Sequence, residues 1–261
     1  MREIIIRQWL NILALILTVV VNGLANVLPL NGLNTGEISD RFDVYFVPAG
    51  YVFSIWGVIY LGLAAFAIYQ ALPSQRENPR LDNVGYWFVA SSVANVTWLF
   101  LWHFEQFVLS FFAMLAILSS LIMIYTRLEI GRSRVYLAER LFVRVPFSIY
   151  LGWITVATIA NLTSVLYFLN WSGWGISPEA WTVVMLAAAG LIAAAVSLTR
   201  GDAVYLLVLI WALVGIAVKH APTPVVSVTS WIITAFVGLM IFVGVVMHSR
   251  RDRALDKISA V

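Results

Sequence analysis

Eight long apolar runs, at 9–30, 51–72, 84–104, 107–125, 145–169, 180–198, 203–218 and 225–247, leave this chain very few ways to fold. A helix needs about 20 mostly apolar residues to cross a membrane, because each residue rises only ~1.5 Å through the hydrocarbon. Lipid offers no hydrogen bonds, so each backbone N–H and C=O in such a run must be satisfied within its own helix. The expected fold class is therefore an all-α integral membrane protein. The seventh run is the shortest and is expected to extend toward Pro222, with Lys219 reaching outward along its apolar stem. Composition agrees, since 62% of residues are hydrophobic and 11% charged, where soluble domains hold about half and about a quarter. With 14% aromatics and so few charges, the chain is the opposite of a disordered one. It has no cysteine, which excludes disulfides, thiolate metal sites, iron–sulfur clusters and thiol catalysis together. Nor does the first run read as a signal peptide, since Asn22 and Asn26 stand where such a segment is greasy.

The basic residues orient the bundle. With the N-terminus inside, fourteen of the sixteen Lys and Arg fall on cytoplasmic segments, and only Arg41 and Lys219 fall outside. Omitting the seventh span would carry the four bases of the tail to the outer side. The expectation is eight spans with both termini cytoplasmic. No transit peptide precedes the first span, so a cell membrane of bacterial or archaeal type is the expected host. The tail at 250–257 anchors this topology and can meet acidic lipid headgroups, at about 1 kcal/mol per charge. The net charge of +3 reflects the same bias and calls for no nucleic-acid partner.

At 170–179, Trp171, Gly173, Trp174, Gly175 and Pro178 make an aromatic turn suited to a membrane interface. It marks a mild break between the first five runs, 1–171, and a three-run extension with the basic tail, 172–261. The sixth run holds Ala187, Ala188, Ala189, Gly190, Ala193, Ala194 and Ala195, and small residues let helices approach closely. The extension either replaces a homodimer contact, making the chain self-contained, or forms a separate fused bundle.

Much chemistry is missing. The middles of all eight runs contain no ionisable residue, whereas ion-coupled transporters and proton pumps keep such groups despite their cost. There is no Walker loop, dinucleotide fingerprint or His-Glu-x-x-His pair, and no converging serine–histidine–acid set. An enzyme acting through its own side chains is not expected. His103 and His220 share one expected surface and could hold a haem iron axially. The competing reading makes them interfacial hydrogen-bonders.

What the spans carry instead is rings and amides at helical spacing. Trp56 and Tyr60 are four apart and share a face, shortly after Tyr51 and Phe53. Asn95, Trp98 and Trp102 fall at i, i+3 and i+7, and Tyr150, Trp153, Ala157 and Asn161 at i, i+3, i+7 and i+11. Each of three helices thus offers a wall of flat rings with an amide, which suits a flat apolar ligand. The bland alternative is helix packing, where intramembrane amides contribute about 0.6 to 2 kcal/mol each. Trp9, Trp87, Trp171, Trp174 and Trp181 read as interfacial belt residues.

At these residues the chain resembles the TspO/MBR family, the tryptophan-rich sensory proteins that include the mitochondrial translocator protein. The stretch 48–60, with Pro48, Tyr51, Phe53, Trp56 and Tyr60, resembles the family's second-helix signature. Asn95-x-x-Trp98 resembles the third-helix motif. Tyr150-x-x-Trp153-x-x-x-Ala157-x-x-x-Asn161 resembles the fifth, with every spacing kept. The resemblance covers roughly 5–170. It implies a five-helix bundle with a pocket for porphyrins, sterols or synthetic aromatic ligands, closed by the loop after the first helix. Here that loop is 31–47, made acidic by Glu37, Asp40 and Asp43. By position, Trp56, Asn95, Trp98, Trp153 and Ala157 would line the cavity, with Tyr51, Phe53, Tyr60, Tyr150 and Asn161 beside or behind them.

The chain also departs from the family. Phe53 precedes Trp56 by three residues rather than four, and Ser110 stands where the fourth helix usually starts with an acid. Tyr167 is followed by no base before Arg200, so the sterol-type run is missing, and three spans are added. The resemblance therefore implies a membrane protein binding a flat apolar small molecule, a tetrapyrrole such as porphyrin or haem, for sensing, sequestration or transport. No cofactor is required, although a porphyrin among tryptophans could undergo photochemistry. The alternatives are an uncoupled small-molecule permease and a scaffold subunit whose tryptophans and asparagines only join helices.

Overall fold

The computed structural model describes residues 2–28 and 30–258; the side chains of Asn26 and of 250–258, and with them the basic tail, lie outside the described residues. Eight principal helices follow one another: α1 Arg2–Val27, α2 Ile55–Ala71, α3 Trp87–His103, α4 Phe107–Arg127, α5 Val145–Phe168, α6 Pro178–Arg200, α7 Ala203–Lys219 and α8 Pro224–Ile258. Six of these, all but α3 and α7, are long and apolar enough to cross a membrane. Helices α3 and α7 have 17 residues each and pack among them. Large apolar side chains such as Leu61, Ile68, Leu191 and Phe242 stand exposed on the outer faces, as lipid-facing residues do.

Helix α1 begins at Arg2 rather than 9, and α8 runs to Ile258 rather than ending at 247. Hydropathy marks where lipid begins, whereas the helix continues through polar residues beyond it. Two short helices escape a hydropathy reading altogether: Thr35–Asp40 and Pro79–Val84, whose N-termini are capped by Asn34 and Asn78.

The first five principal helices close a ring in the order α1, α2, α5, α4, α3, with α3 packed back on α1. The connections gather at two ends. At the arginine-rich end Arg7 pairs with Asp82 and Arg80 with Glu139. At the loop end Arg41 pairs with Glu105 and Lys219 with Asp40.

The extension is not a separate bundle. Helix α7 lies on α5, with α8 and α6 beyond it. Gly152 permits this approach, because a Cβ there would stand 3.1 Å from both the Tyr205 carbonyl oxygen and Val208 Cβ. The Tyr205 hydroxyl donates to Thr155 Oγ1 at 2.8 Å, while Ser148 and Tyr125 donate to the Asp202 carboxylate at 2.6 and 3.0 Å. The small face of α6 packs as expected, with Gly190 against Ile233 and Phe236 of α8. His248 bonds the Gly244 carbonyl and leans on Gly201, the left-handed C-cap of α6.

Tyr205→Phe deletes one hydroxyl from the α5–α7 contact. The expected cost is about 0.6 kcal/mol, the average for interhelical hydrogen bonds in membranes, read as a small fall in melting temperature in detergent. An unchanged melt would show that this bond adds nothing to the seat of α7.

Candidate ligand-binding site

The site is built where the lid meets α2. Residues Gly50–Ser54 form a 3₁₀ turn before α2 begins at Ile55. In such a turn residues i and i+3 eclipse, so the spacing of three brings Phe53 onto the same side as Trp56. Tyr51 faces elsewhere, edge-on to Trp211 of α7 at 5.5 Å.

Between α2, α3, α4 and α5 lies an inner chamber of about 50 Å³ whose walls include Phe53, Trp56, Trp98, Trp153, Ala157 and Asn161. A wider recess of about 580 Å³ adjoins it, reaching Val19 and Asn22 of α1 and Gly57 and Tyr60 of α2. The two share Thr35, Phe53, Trp56 and Trp98. Rings brace one another: Trp153 meets Phe53 at 5.7 Å and Trp56 at 6.2 Å, both nearly perpendicular. Trp56 stacks on Tyr60 at 5.5 Å, and Trp98 on Trp102 at 5.8 Å.

Three polar atoms in the chamber walls are buried with no hydrogen-bond partner: Trp98 Nε1, Trp153 Nε1 and Asn161 Oδ1. Buried polar groups are nearly always paired, and an orphan costs about 1–3 kcal/mol. Two donors and one acceptor on the wall residues are thus unused in an otherwise apolar shell. Asn161 is oriented from behind, its Nδ2 donating to Ser110 Oγ at 3.2 Å. Ser110 thus serves as the anchor of that amide.

Asn95 does not line the cavity. It is fully buried behind it, its Oδ1 accepting from Asn22 Nδ2 at 2.8 Å and its Nδ2 donating to the Tyr150 hydroxyl at 3.2 Å. Both ends of its amide join α1, α3 and α5. Tyr150 likewise sits behind the wall, edge-on to Trp56 at 6.1 Å. Of the ten expected residues, six line the chamber and Tyr60 lines the recess, while Tyr51, Asn95 and Tyr150 line neither.

The loop at 31–47 does cover the site. Thr35, Ser39, Val47 and Pro48 roof the chamber, and Asn34, Glu37 and Asp40 rim the recess. On the α3 side it is held by Trp102 Nε1 donating to the Thr35 carbonyl at 3.3 Å and Asn31 Nδ2 to the His103 carbonyl at 3.1 Å. On the other side the extension holds its continuation. Ala49 N–H donates to the Gly215 carbonyl at 3.2 Å, and Trp211 Nε1 to the Val52 carbonyl at 3.0 Å. Sequence reasoning missed this second attachment. Its one local signal was Lys219, an isolated base at the acidic end, which pairs with Asp40.

His103 and His220 each contact a backbone carbonyl. His103 Nδ1 lies 2.8 Å from the Leu99 carbonyl and His220 Nε2 3.3 Å from that of Val47, and neither lines the chamber or recess. Among the described residues no group of three or more His, Asp or Glu is placed to hold a metal.

A family model described as TSPO-like protein matches residues 8–243. The match runs past 171, through α6 and α7 and into α8. No curated protein and no solved structure matches the chain.

Proposed function

This chain belongs to the TSPO-like protein family of membrane ligand-binding and transport proteins, and from that premise we propose that its recess and chamber together take a flat apolar ligand, in the first instance a tetrapyrrole. The observation that carries this reading is the pair of unpartnered indole N–H groups in an aromatic chamber. A chamber of about 50 Å³ is too small for such a ligand. The adjoining recess, at about 580 Å³, falls within the ~300–1,000 Å³ of small-molecule sites. The flat body lies in the recess against Trp56 and Trp98, and one edge bearing a hydrogen-bond acceptor enters the chamber.

The rim adds a preference. Glu37 and the Lys219-paired Asp40 stand at the recess, so a ligand carrying carboxylates meets like charge there. A neutral porphyrin ester is therefore expected to bind at least as tightly as the free diacid. The arginine-rich end faces the cytoplasm of a cell membrane crossed eight times. Transport, if it is the output, is uncoupled, because the helix middles hold no charge to couple.

The test titrates the detergent-solubilised protein with protoporphyrin and with its dimethyl ester, following ligand absorbance. Trp98→Phe and Trp153→Phe keep a ring and remove the N–H. Each is expected to weaken binding about fivefold, matching a net hydrogen bond of about 1 kcal/mol. A non-saturating change, equal in all three proteins, would mean that the porphyrin only partitions into detergent. The aromatic walls would then be packing, as the scaffold reading holds.

A further inference from the structure

A second cavity, of about 280 Å³, lies at the loop end between residues 43–46, the last turns of α5 and the start of α6. It shares no lining residue with the chamber or the recess, and the extension supplies half of its wall. Trp171 and Trp181, expected only as belt residues, line it with ring centroids 5.1 Å apart. Trp181 is fixed by Nε1 donating to the Gly173 carbonyl at 2.9 Å, and Trp174 completes the cluster at 5.3 and 5.8 Å. Trp174 itself holds φ +53°, a conformation bulky residues avoid. The turn that presents these rings is thus maintained against strain.

The charges here are unbalanced. The loop end carries five carboxylates, Glu37, Asp40, Asp43, Glu105 and Glu179, against two bases. Both bases are engaged, Arg41 with Glu105 and Lys219 with Asp40. Glu37 accepts from the Asn34 N–H, and Glu179 from the Tyr45 hydroxyl at 3.0 Å. His220, edge-on to Tyr45, is held below its usual range by burial and adds no positive charge at neutral pH. That leaves Asp43, on the cavity wall, with no ion pair or hydrogen bond from its carboxylate among the described residues. The start of α6 does not supply a counter-charge, because Ser177 caps it and Glu179 occupies its first turn.

A carboxylate with no ion pair among the described residues lines this cavity together with two tryptophans and the apolar Leu166, Ile176 and Met185, a composition that recognises positive charge carried on carbon. Ammonium groups bind aromatic faces within about 6 Å of the ring centroid, tryptophan best of all. We propose that this cavity is a second ligand site, which takes an organic ammonium ion between the Asp43 carboxylate and the Trp171 and Trp181 rings. The ammonium can belong to a lipid headgroup or to a free amine.

The test uses the full chain in neutral detergent and a ligand-observed NMR titration with choline. The control is 3,3-dimethylbutanol, which has carbon in place of the charged nitrogen. Choline is expected to saturate one site and to bind at least tenfold more tightly than the alcohol. Asp43→Asn keeps the shape and breaks no hydrogen bond; it is expected to weaken choline at least tenfold, with melting temperature and porphyrin titration unchanged. Trp171→Ala is expected to weaken choline similarly, with the porphyrin titration unchanged. In nanodiscs, competition by phosphatidylcholine but not phosphatidylglycerol supports the site with a headgroup as its occupant, and no competition supports it with a free amine. Equal binding of choline and the alcohol, or choline binding indifferent to Asp43→Asn, overturns the proposal. Loss of porphyrin binding with the choline site intact would overturn the central-site reading alone.

Discussion

Ala157→Leu is expected to weaken ligand binding at the central site at least thirtyfold while leaving the protein folded. Ala157 lines the inner chamber one helical turn from Trp153. It is only partly buried and borders the chamber's open space. A leucine there fills the chamber instead of overpacking a closed core, and cavity filling commonly stabilises. The same branch occupies the room that the ligand edge requires. Thirtyfold corresponds to about 2 kcal/mol, given that about 1.4 kcal/mol is a factor of ten. The porphyrin titration and a thermal melt check both halves, with the melting temperature expected to hold or rise. Wild-type affinity with an unchanged melt would remove the chamber from the site.

Gly215→Val is expected to unseat the lid. A Cβ at 215 would fall inside the van der Waals surface of Val52 and stand 3.0 Å from Pro48 Cβ. The same glycine's carbonyl receives the Ala49 N–H. Overpacking of this kind costs about 1–3 kcal/mol. Relief requires residues 48–52 to move, and Pro48 and the neighbouring Phe53 are chamber walls. Ligand release is therefore expected to quicken at least tenfold, measured by stopped-flow dilution, with a lowered melting temperature. Lys219→Ala removes only a half-exposed ion pair with Asp40, worth about 0–1 kcal/mol, and should accelerate release far less. If Gly215→Val released ligand at the wild-type rate, the contact between α7 and the lid would have no part in closure.

Much of the fold was legible because lipid leaves the backbone so little choice. Apolar runs had to be helices, and each of the eight holds one, six of them long enough to cross a membrane. Their faces were legible too: Trp56, Trp98 and Trp153 do converge on one chamber, as helical spacing places them. Phe53 joins them although its spacing looked wrong, because a local 3₁₀ turn changes the period just there. The short helices at 35–40 and 79–84 were missed since their signal is an asparagine cap rather than hydropathy.

Which residue on a face reaches the cavity was not legible. Asn95 and Asn161 read alike as amides on aromatic stripes, yet Asn95 is consumed by Asn22 and Tyr150 while Asn161 keeps a free carbonyl. One helical turn carries both a residue that lines a cavity and one that lies behind it, and only the rotation of each helix against its neighbours separates them. The sequence, through period, length and charge placement, determined a helical membrane bundle with tryptophan-rich helix faces. The tertiary structure alone decided that the extension seats on α5 at Gly152, holds the lid at Gly215 and walls one side of a second cavity with Trp181. The Tyr205–Thr155 and Trp211–Val52 bonds at the first two of these seats join residues 50 and 159 apart, and no local pattern of hydropathy specifies which distant surfaces will fit.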